Sequence, residues 1–300
     1  MNRATLVRTG GMLLTVLAGV GFIFGIRVAI IHLTTDPLAD VRAYYDAGAR
    51  LNAGLPLYPP VADTNVPGSY HYPPLLAIAF RPLALLPYEP AALVWEAVIV
   101  GATVLTFVRL GIRRAVLITA GLLAVPIAWT VAIGQAQALV TYCLAIGTPW
   151  AVALATNLKL YPALVAVYWV GRREWRRLGW FAAWMAGMIA FQFVLEPSAT
   201  IAYLGFLTAE QVGEVNNLSL FALSPILWAA SVIVMGLIAL LLAPSRWGWP
   251  AAVVLSVFAS PRLLSYQIST LLAALGGPDM ARTSAGATDQ RRSRADAADR

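Results

Sequence analysis

Long apolar segments separated by short arginine clusters constrain this sequence more than any other feature. The first segment, residues 11–31, reads GMLLTVLAGVGFIFGIRVAII and is long enough to cross a bilayer as one helix. The chain has 300 residues, of which 60% are hydrophobic and only 12% are charged, and its mean hydropathy is +0.73. A soluble domain of this size needs more charge on its surface. The sequence therefore predicts an all-α polytopic membrane protein.

The arginines indicate how these segments are oriented. The formal net charge is +7, but the basic residues lie in short clusters between apolar runs, which is typical of membrane topology rather than of nucleic-acid binding. Arg3, Arg8 and the segment GRREWRR (171–177) are expected in the cytoplasm, with both termini. The other predicted helices cover about 88–109, 115–132, 178–195, 219–243, 249–259 and 263–275, with short apolar pieces between 136 and 171. This gives a bundle of about ten transmembrane or partly embedded helices.

In this arrangement residues 32–87 form a long extracytoplasmic loop. Residues 74–86, PLLAIAFRPLALL, either cross the membrane or only dip into its outer leaflet. A crossing would place the arginines of 109–114 outside, whereas a dip leaves them in the cytoplasm. The dip is favoured, because the segment is short, is bracketed by prolines and contains Arg81.

Residues 38–53 have the spacing of an amphipathic interfacial helix. Its expected apolar side carries Leu38, Val41, Tyr45 and Ala49, and its charged side carries Asp40, Arg42, Asp46 and Arg50. With Asp36, this segment brings three aspartates to a membrane surface, which calls for a functional explanation.

Residue types that suit a sugar collect on the predicted outer face. Aromatic rings stack on sugars, and carboxylates and amides bind hydroxyl groups. The candidates of these types are Asp36, Asp40, Tyr44, Tyr45, Tyr58, Tyr70, His71, Tyr72, Gln135, Asn217, Ser219 and Tyr266. Lys159 and Arg262 lie beside lipid and suit a phosphate. The set as a whole fits a lipid-linked phosphosugar.

Structural roles are alternatives for the same residues. Interfacial tyrosines commonly form an aromatic belt, and a lysine beside lipid can extend its ammonium to the interface. Gln135 and Asn217 can cap helices or join them by hydrogen bonds.

The order of several motifs resembles glycosyltransferase family 87, of the GT-C superfamily. The family pattern of Asp, Tyr four residues on, Gly-x-x-x-Tyr and Tyr-Pro-Pro-Leu matches Asp40, Tyr44, Gly54, Tyr58 and the segment 72–75. The segments GQAQAL, NLKLYP, NNLSL and SPRLLSYQ are similar to later motifs and supply Gln135, Lys159, Asn217, Ser219, Arg262 and Tyr266. Gln137 stands where the family usually has Asn, and Tyr266 or Gln267 where many members have His.

The resemblance implies a mannosyltransferase-like enzyme that transfers a hexose from polyprenyl-phosphate mannose to a glycolipid or lipid-anchored polysaccharide. It implies an extracytoplasmic active site, inversion at the sugar carbon, and no cofactor or metal. Asp40 is the expected general base. Asp36 precedes a proline and suits a turn, and Asp46 lies roughly 240° around the helix from Asp40, whereas Tyr44 is one turn away.

Other classes predict other features. A transporter or flippase would show inverted repeats and ionisable groups at mid-membrane, whereas the charges here lie at the predicted outer edge. An inactive member of the same fold is a further alternative, because family members usually continue with more helices. The expected organisation is one transmembrane domain at 1–275 and a disordered cytoplasmic tail at 276–300, which is polar and low in large apolar residues.

Overall fold

A computed structural model describes residues 3–58, 70–206 and 216–278, and all regular structure within these ranges is helical. The α-helices are α1 (Arg3–Thr35), α2 (Ala39–Asn52), α3 (Pro74–Phe80), α4 (Tyr88–Leu110), α5 (Arg114–Leu122), α6 (Ala124–Ala132), α7 (Gln137–Ile146), α8 (Pro149–Leu158), α9 (Val167–Gly171), α10 (Trp175–Leu195), α11 (Pro197–Phe206), α12 (Pro225–Leu242) and α13 (Gly248–Phe258). The same ranges contain 3₁₀ segments at Leu83–Leu85, Tyr161–Ala166, Leu220–Ala222 and Ser265–Leu275. The predicted all-α class is confirmed.

Four of the described helices are long and apolar enough to cross a membrane: the part Arg8–Thr35 of α1, and α4, α10 and α12. The pair α5 and α6 makes a fifth candidate if it is one bent span. These helices expose large apolar side chains; Ile226, for example, is 80% exposed, and α12 buries only Ala239. Such surfaces need lipid around them, and the chain is a polytopic membrane protein.

The helix expected at 115–132 is bent rather than straight. α5 and α6 meet at an angle of 68°. Pro126 supplies the reason, because its ring clashes with the carbonyl of the residue four positions earlier, which is Leu122, where α5 ends. The bend shapes an apolar groove described below.

Two further segments differ from expectation. α11 occupies residues 197–206, which lie between the helices predicted at 178–195 and 219–243, and it begins with a proline at its first position. The segment Ser265–Leu275 is a 3₁₀ helix rather than an α-helix. By contrast, α3 is seven residues long, or about 10 Å, and so cannot cross a bilayer, as the dip interpretation requires.

The expected helix at 38–53 is present as α2, but its buried face differs from the predicted one. Tyr44 is fully buried, and Leu51 is buried on the same face of the helix. Tyr45, which was placed on the apolar side, is half-buried, and its hydroxyl donates to the Leu86 carbonyl at 2.7 Å. α2 therefore turns Tyr44 rather than Tyr45 into the protein.

Candidate active site

The turn between α6 and α7 holds the start of α2. The Leu38 amide donates to the Ala132 carbonyl at 3.1 Å, and the Asp40 amide donates to the Ile133 carbonyl at 3.2 Å. Because the first amides of a helix lack partners within the helix, these two bonds satisfy groups that would otherwise stay unpaired. They also fix Asp40 against the turn.

Gly134 allows this close approach. Its φ is +66°, a conformation that favours glycine, and a Cβ there would lie 2.2 Å from Cγ2 of Val41 in α2. Its carbonyl accepts a 2.7 Å hydrogen bond from Nε1 of the buried Trp95. The turn therefore forms hydrogen bonds both with Trp95 of α4 and with the backbone at the start of α2.

Gln135 joins three of the predicted site residues. Its Nε2 donates to the Asp40 carboxylate and, at 3.0 Å, to the Tyr72 hydroxyl. Its Oε1 accepts a 2.6 Å hydrogen bond from the Tyr44 hydroxyl. Gln135 and Tyr44 are fully buried, so the amide is oriented from both ends before any ligand binds.

The surroundings of Asp40 favour its protonated form. Burial raises the pKa of its carboxyl to about 6, Lys159 opposes that change, the negative charge of Asp36 adds to it, and the hydrogen bond from Gln135 opposes it. A carboxyl with a pKa near the working pH is suited to accept and release a proton.

The two neighbouring aspartates have ordinary surface roles. Asp36 accepts hydrogen bonds from His32 at 2.8 Å and from Thr35 at 2.7 Å at the end of α1. Asp46 forms an exposed ion pair with Arg42 at 3.2 Å. Asp40 alone of the three contacts Gln135 within the described structure.

Lys159 follows α8 directly and is only 6% exposed. Its ammonium donates to Oε1 of Gln137 at 2.9 Å and lies 4.7 Å from the ring centre of Tyr266 and 5.1 Å from that of Tyr72. Both distances are within the range of cation–π attraction. Tyr72 thus contacts both Lys159 and the Gln135 amide of the Asp40 network.

Gln137 is a site residue that the sequence analysis did not select. Its Nε2 donates to the hydroxyls of Tyr161 and Thr270, while its Oε1 receives Lys159. Gln137 is fully buried, so its amide holds the Lys159 ammonium in a fixed position. The available signal was its position two residues after Gln135, where it replaces the Asn usual in the resembling family.

Asn217 and Ser219 shape a loop rather than line the Asp40 network. The Asn217 amide donates to the Pro261 carbonyl at 3.0 Å, and its oxygen accepts from the Leu263 amide at 2.9 Å. Ser219 caps the following 3₁₀ turn by accepting from the Phe221 amide at 3.2 Å. Their predicted contact with substrate remains a prediction.

Arg262 lies between the two residues that Asn217 binds, and it faces the segment before α3. The pKa of His71 falls to about 4, first because the imidazole is half-buried and second because the Arg262 charge is near it. His71 directly precedes Tyr72, so Arg262 is at the edge of the network. Tyr45 is directed elsewhere, toward Leu86.

An apolar groove lies between α1 and the α5–α6 bend. It has a volume of about 620 Å³ and is lined by apolar side chains and glycines of α1, α4, α5 and α6. α1 crosses the bend closely, since a Cβ on Gly21 would lie 2.3 Å from the Gly121 carbonyl oxygen. The lining includes Ala29 of α1 and Ala128 of α6. Ala128 directly precedes Trp129 in α6. Trp129 stacks on His32 at 4.6 Å and meets the ring of Tyr266 at 6.4 Å.

These observations define a class: a polytopic helical membrane protein with a carboxylate and a buried lysine joined by amides and tyrosines. The particular family follows from comparison with known sequences. The model of glycosyltransferase family 87 matches residues 70–276, and the chain belongs to that family. The family resemblance in the sequence is confirmed.

One curated relative is the polyprenol-phosphate-mannose-dependent alpha-(1-2)-phosphatidylinositol pentamannoside mannosyltransferase of Mycolicibacterium smegmatis. It is 30% identical over 164 residues, which cover 48% of this chain and 40% of the relative's length. No solved structure matches the chain. The family match begins at residue 70, so Asp40 and Tyr44 lie outside the matched region. Both form hydrogen bonds with Gln135, which lies inside that region.

Proposed function

We propose that this protein is a membrane glycosyltransferase. It moves a hexose, in our proposal mannose, from a polyprenyl-phosphate sugar to a glycolipid or lipid-linked polysaccharide acceptor. The observation that carries the proposal is one network in which Gln135 joins the Asp40 carboxylate to Tyr72, whose ring lies 5.1 Å from the Lys159 ammonium. Family membership supports the transfer, and the name of the mycobacterial relative supports the donor.

In the proposed reaction the acceptor hydroxyl oxygen forms a bond to the anomeric carbon of the donor. The bond from that carbon to the phosphate oxygen breaks, and polyprenyl phosphate leaves with the electron pair. Asp40 takes the hydroxyl proton as general base. Attack occurs opposite the leaving phosphate, so the anomeric carbon is inverted, and one carboxylate suffices because the phosphate needs no acid.

Positive charge is needed where the leaving phosphate gains negative charge. Lys159 is suited to this role because Gln137 and two tyrosine rings fix its ammonium in advance. Arg262 is a second cation at the edge of the network, and we propose that Asn217 acts by holding its loop. The rings of Tyr72 and Tyr266 offer faces on which a sugar can stack.

A lipid-linked donor also needs a place for its hydrocarbon chain. The groove between α1 and the α5–α6 bend is apolar, and its lining residue Ala128 directly precedes Trp129, whose ring lies 6.4 Å from that of Tyr266. Its position supports a donor whose phosphate lies at Lys159 while its chain remains in a bilayer environment.

We propose that the site faces the extracytoplasmic side and that both termini are cytoplasmic. Arg8 near the start of α1, Arg109 near the end of α4 and Arg177 near the start of α10 support this orientation, because all lie at helix ends away from the site. We propose that residues 1–275 form one transmembrane domain. The tail predicted at 276–300 falls, beyond residue 278, outside the described residues.

The test uses membranes that contain the full chain, labelled polyprenyl-phosphate mannose and extracted glycolipid as acceptor. Labelled glycolipid should form with wild type, and Asp40→Asn should lower the rate about 10²- to 10⁴-fold, the usual cost of losing a general base. Asp46→Asn is the matched control, since its carboxylate is exposed and paired with Arg42.

Transfer by Asp40→Asn at near wild-type rate contradicts the assignment of the base. No transfer by wild type, with the chain folded and inserted, contradicts the proposed donor. Export of labelled lipid without transfer would instead identify a flippase.

A further inference from the structure

A charged cavity lies at the start of α10. It has a volume of about 540 Å³ and is lined by Pro149, Glu174, Arg176, Arg177 and Trp180. Gln192, near the far end of α10, accepts a 3.0 Å hydrogen bond from the Leu75 amide at the start of α3. Arg176 is 16 residues before Gln192, roughly 24 Å along the helix, so the cavity is separate from the candidate active site.

The cavity has an excess of positive charge that the protein does not neutralise. Glu174 already pairs with Arg172 at 2.9 Å and with Arg177 at 2.8 Å, one arginine on each oxygen. Arg176 has no hydrogen-bond or ion-pair partner among the described residues. Other arginines at this end are used within the fold; Arg113, for example, donates to the Leu110 carbonyl at 3.0 Å.

The side chains at the start of α10 have the order that is typical of a membrane interface. α10 is a candidate span that begins at Trp175, so Arg176 and Arg177 occupy its first turn. Trp180 and Trp184 follow at one-turn intervals on the same helix and are 55% and 47% exposed. Arginines followed by exposed tryptophans are typical of the membrane interface.

We propose that this cavity binds the phosphate head group of an anionic phospholipid of the surrounding membrane. A guanidinium group can offer two parallel hydrogen bonds to a phosphate, and Arg176 is free to do so. Trp180 lies one turn deeper, where it contacts the glycerol and the first acyl carbons. A ligand with a charged head and an apolar body matches this order of residues, whereas a free anion uses only the arginines.

The experiment uses the full chain purified in a neutral detergent, with bound lipids counted by native mass spectrometry. Phosphatidylglycerol should bind and phosphatidylcholine should bind more weakly. Arg176→Gln should weaken phosphatidylglycerol binding by roughly tenfold or more, as expected for loss of a charged hydrogen-bond pair. Arg173→Gln is the matched control, because it removes the same charge from an exposed neighbour that does not line the cavity.

Two further variants make the result specific. Trp180→Ala should weaken phosphatidylglycerol binding while leaving competition by glycerol phosphate unchanged. If Arg176→Gln does not fold, Arg176→Lys keeps the charge and should bind with intermediate affinity. Equal binding by wild type and the Arg176 variant, equal losses for the Arg173 control, or full displacement by glycerol phosphate would each overturn the proposal.

Discussion

Asp40 shares one short segment with Asp36 and Asp46, yet only its carboxylate is turned into the protein. The three residues differ in partners rather than in chemistry: His32 and Thr35 engage Asp36, Arg42 engages Asp46, and a buried amide engages Asp40. Burial then shifts the pKa of Asp40 upward to about 6. The side-chain environment, not the residue type, makes Asp40 a candidate base.

The transfer rate should therefore depend on pH through Asp40. Only the ionised carboxylate can take a proton, so kcat should rise as pH increases through about 6 and then level off. The same group should affect stability in the opposite direction. Its pKa is higher in the folded chain than the ordinary 3.8, so its contribution to stability is largest below about pH 4 and is lost as pH rises through about 6. A pH–rate profile and thermal unfolding across this range measure the two effects.

Gln135→Glu provides an internal check on that profile. A second carboxylate beside Asp40 disfavours ionisation and should move the midpoint upward by about one pH unit or more. Asp36→Asn is the control, since it removes a charge from the surface of the same region and should shift the midpoint slightly downward. An unchanged midpoint in Gln135→Glu would show that Asp40 does not govern the profile.

Lys159→Gln should raise the KM for the donor by roughly tenfold or more and leave the acceptor KM nearly unchanged. The reason is the loss of a charged hydrogen bond to the donor phosphate. Steady-state kinetics with each substrate varied in turn give the comparison. A change confined to the acceptor KM would remove Lys159 from the phosphate site.

The α6–α7 turn is the element on which the site depends, because α2, α4 and α7 all meet there. Gly134 allows the backbone at the start of α2 to form hydrogen bonds with the turn. The next residue, Gln135, orients the Asp40 carboxylate. A small displacement of this turn would separate Asp40 from Gln135 without unfolding the bundle.

Gly134→Ala tests the turn. The added methyl group would lie 2.2 Å from Val41, at a backbone position with φ of +66°, so we expect a loss of stability of about 1–3 kcal/mol and a larger loss of activity. Gly54→Ala is the matched control: its φ is also +66°, but no heavy atom of the described residues lies within 4 Å of the added Cβ. Thermal unfolding and transfer assays of both variants separate the steric effect from the backbone strain. Equal effects would mean that the contact with Val41 is unimportant.

Element by element, hydropathy was sufficient for the long helices, because a span is defined by its length and composition. α4 and α10 lie close to their predicted limits. The bend at residues 122–124 was missed because periodicity does not report the direction of the next helix, although Pro126 marked the place. The buried face of α2 was missed for a related reason: Tyr44 and Tyr45 are both aromatic, and only the position of Gln135 decides between them.

The whole molecule has a polar network near one end of its helices, and the arginine clusters at 109–114 and 171–177 lie at helix ends away from it. Lys159 was selectable from the sequence because an isolated charge beside apolar segments is costly, and Asp40 because helix geometry and the family pattern distinguish it from Asp36 and Asp46. Gln137 was not selected, and the role of Asn217 was left open, because an amide gives no indication in the sequence of whether it binds a ligand or the protein itself. Only the fold places Thr270 beside Gln137.

The orientation of the molecule can be tested with single cysteines. Cys143 is buried and can be replaced by Ala, after which Leu55→Cys and Trp175→Cys introduce one exposed thiol at each end. An impermeant maleimide applied to intact cells should label position 55 and not position 175. Labelling of both from the outside, or of position 175 alone, would contradict the proposed topology.

The contact between Gln135 and Asp40 joins residues that are 95 positions apart in the chain. At ordinary translation speeds, about 5 to 20 s separate their synthesis. During that interval the Asp40 carboxylate still lacks its partner. Tyr266, whose ring lies against Lys159, is made later still. Insertion therefore produces a series of partly built bundles, and the complete site exists only after the ribosome has passed Tyr266.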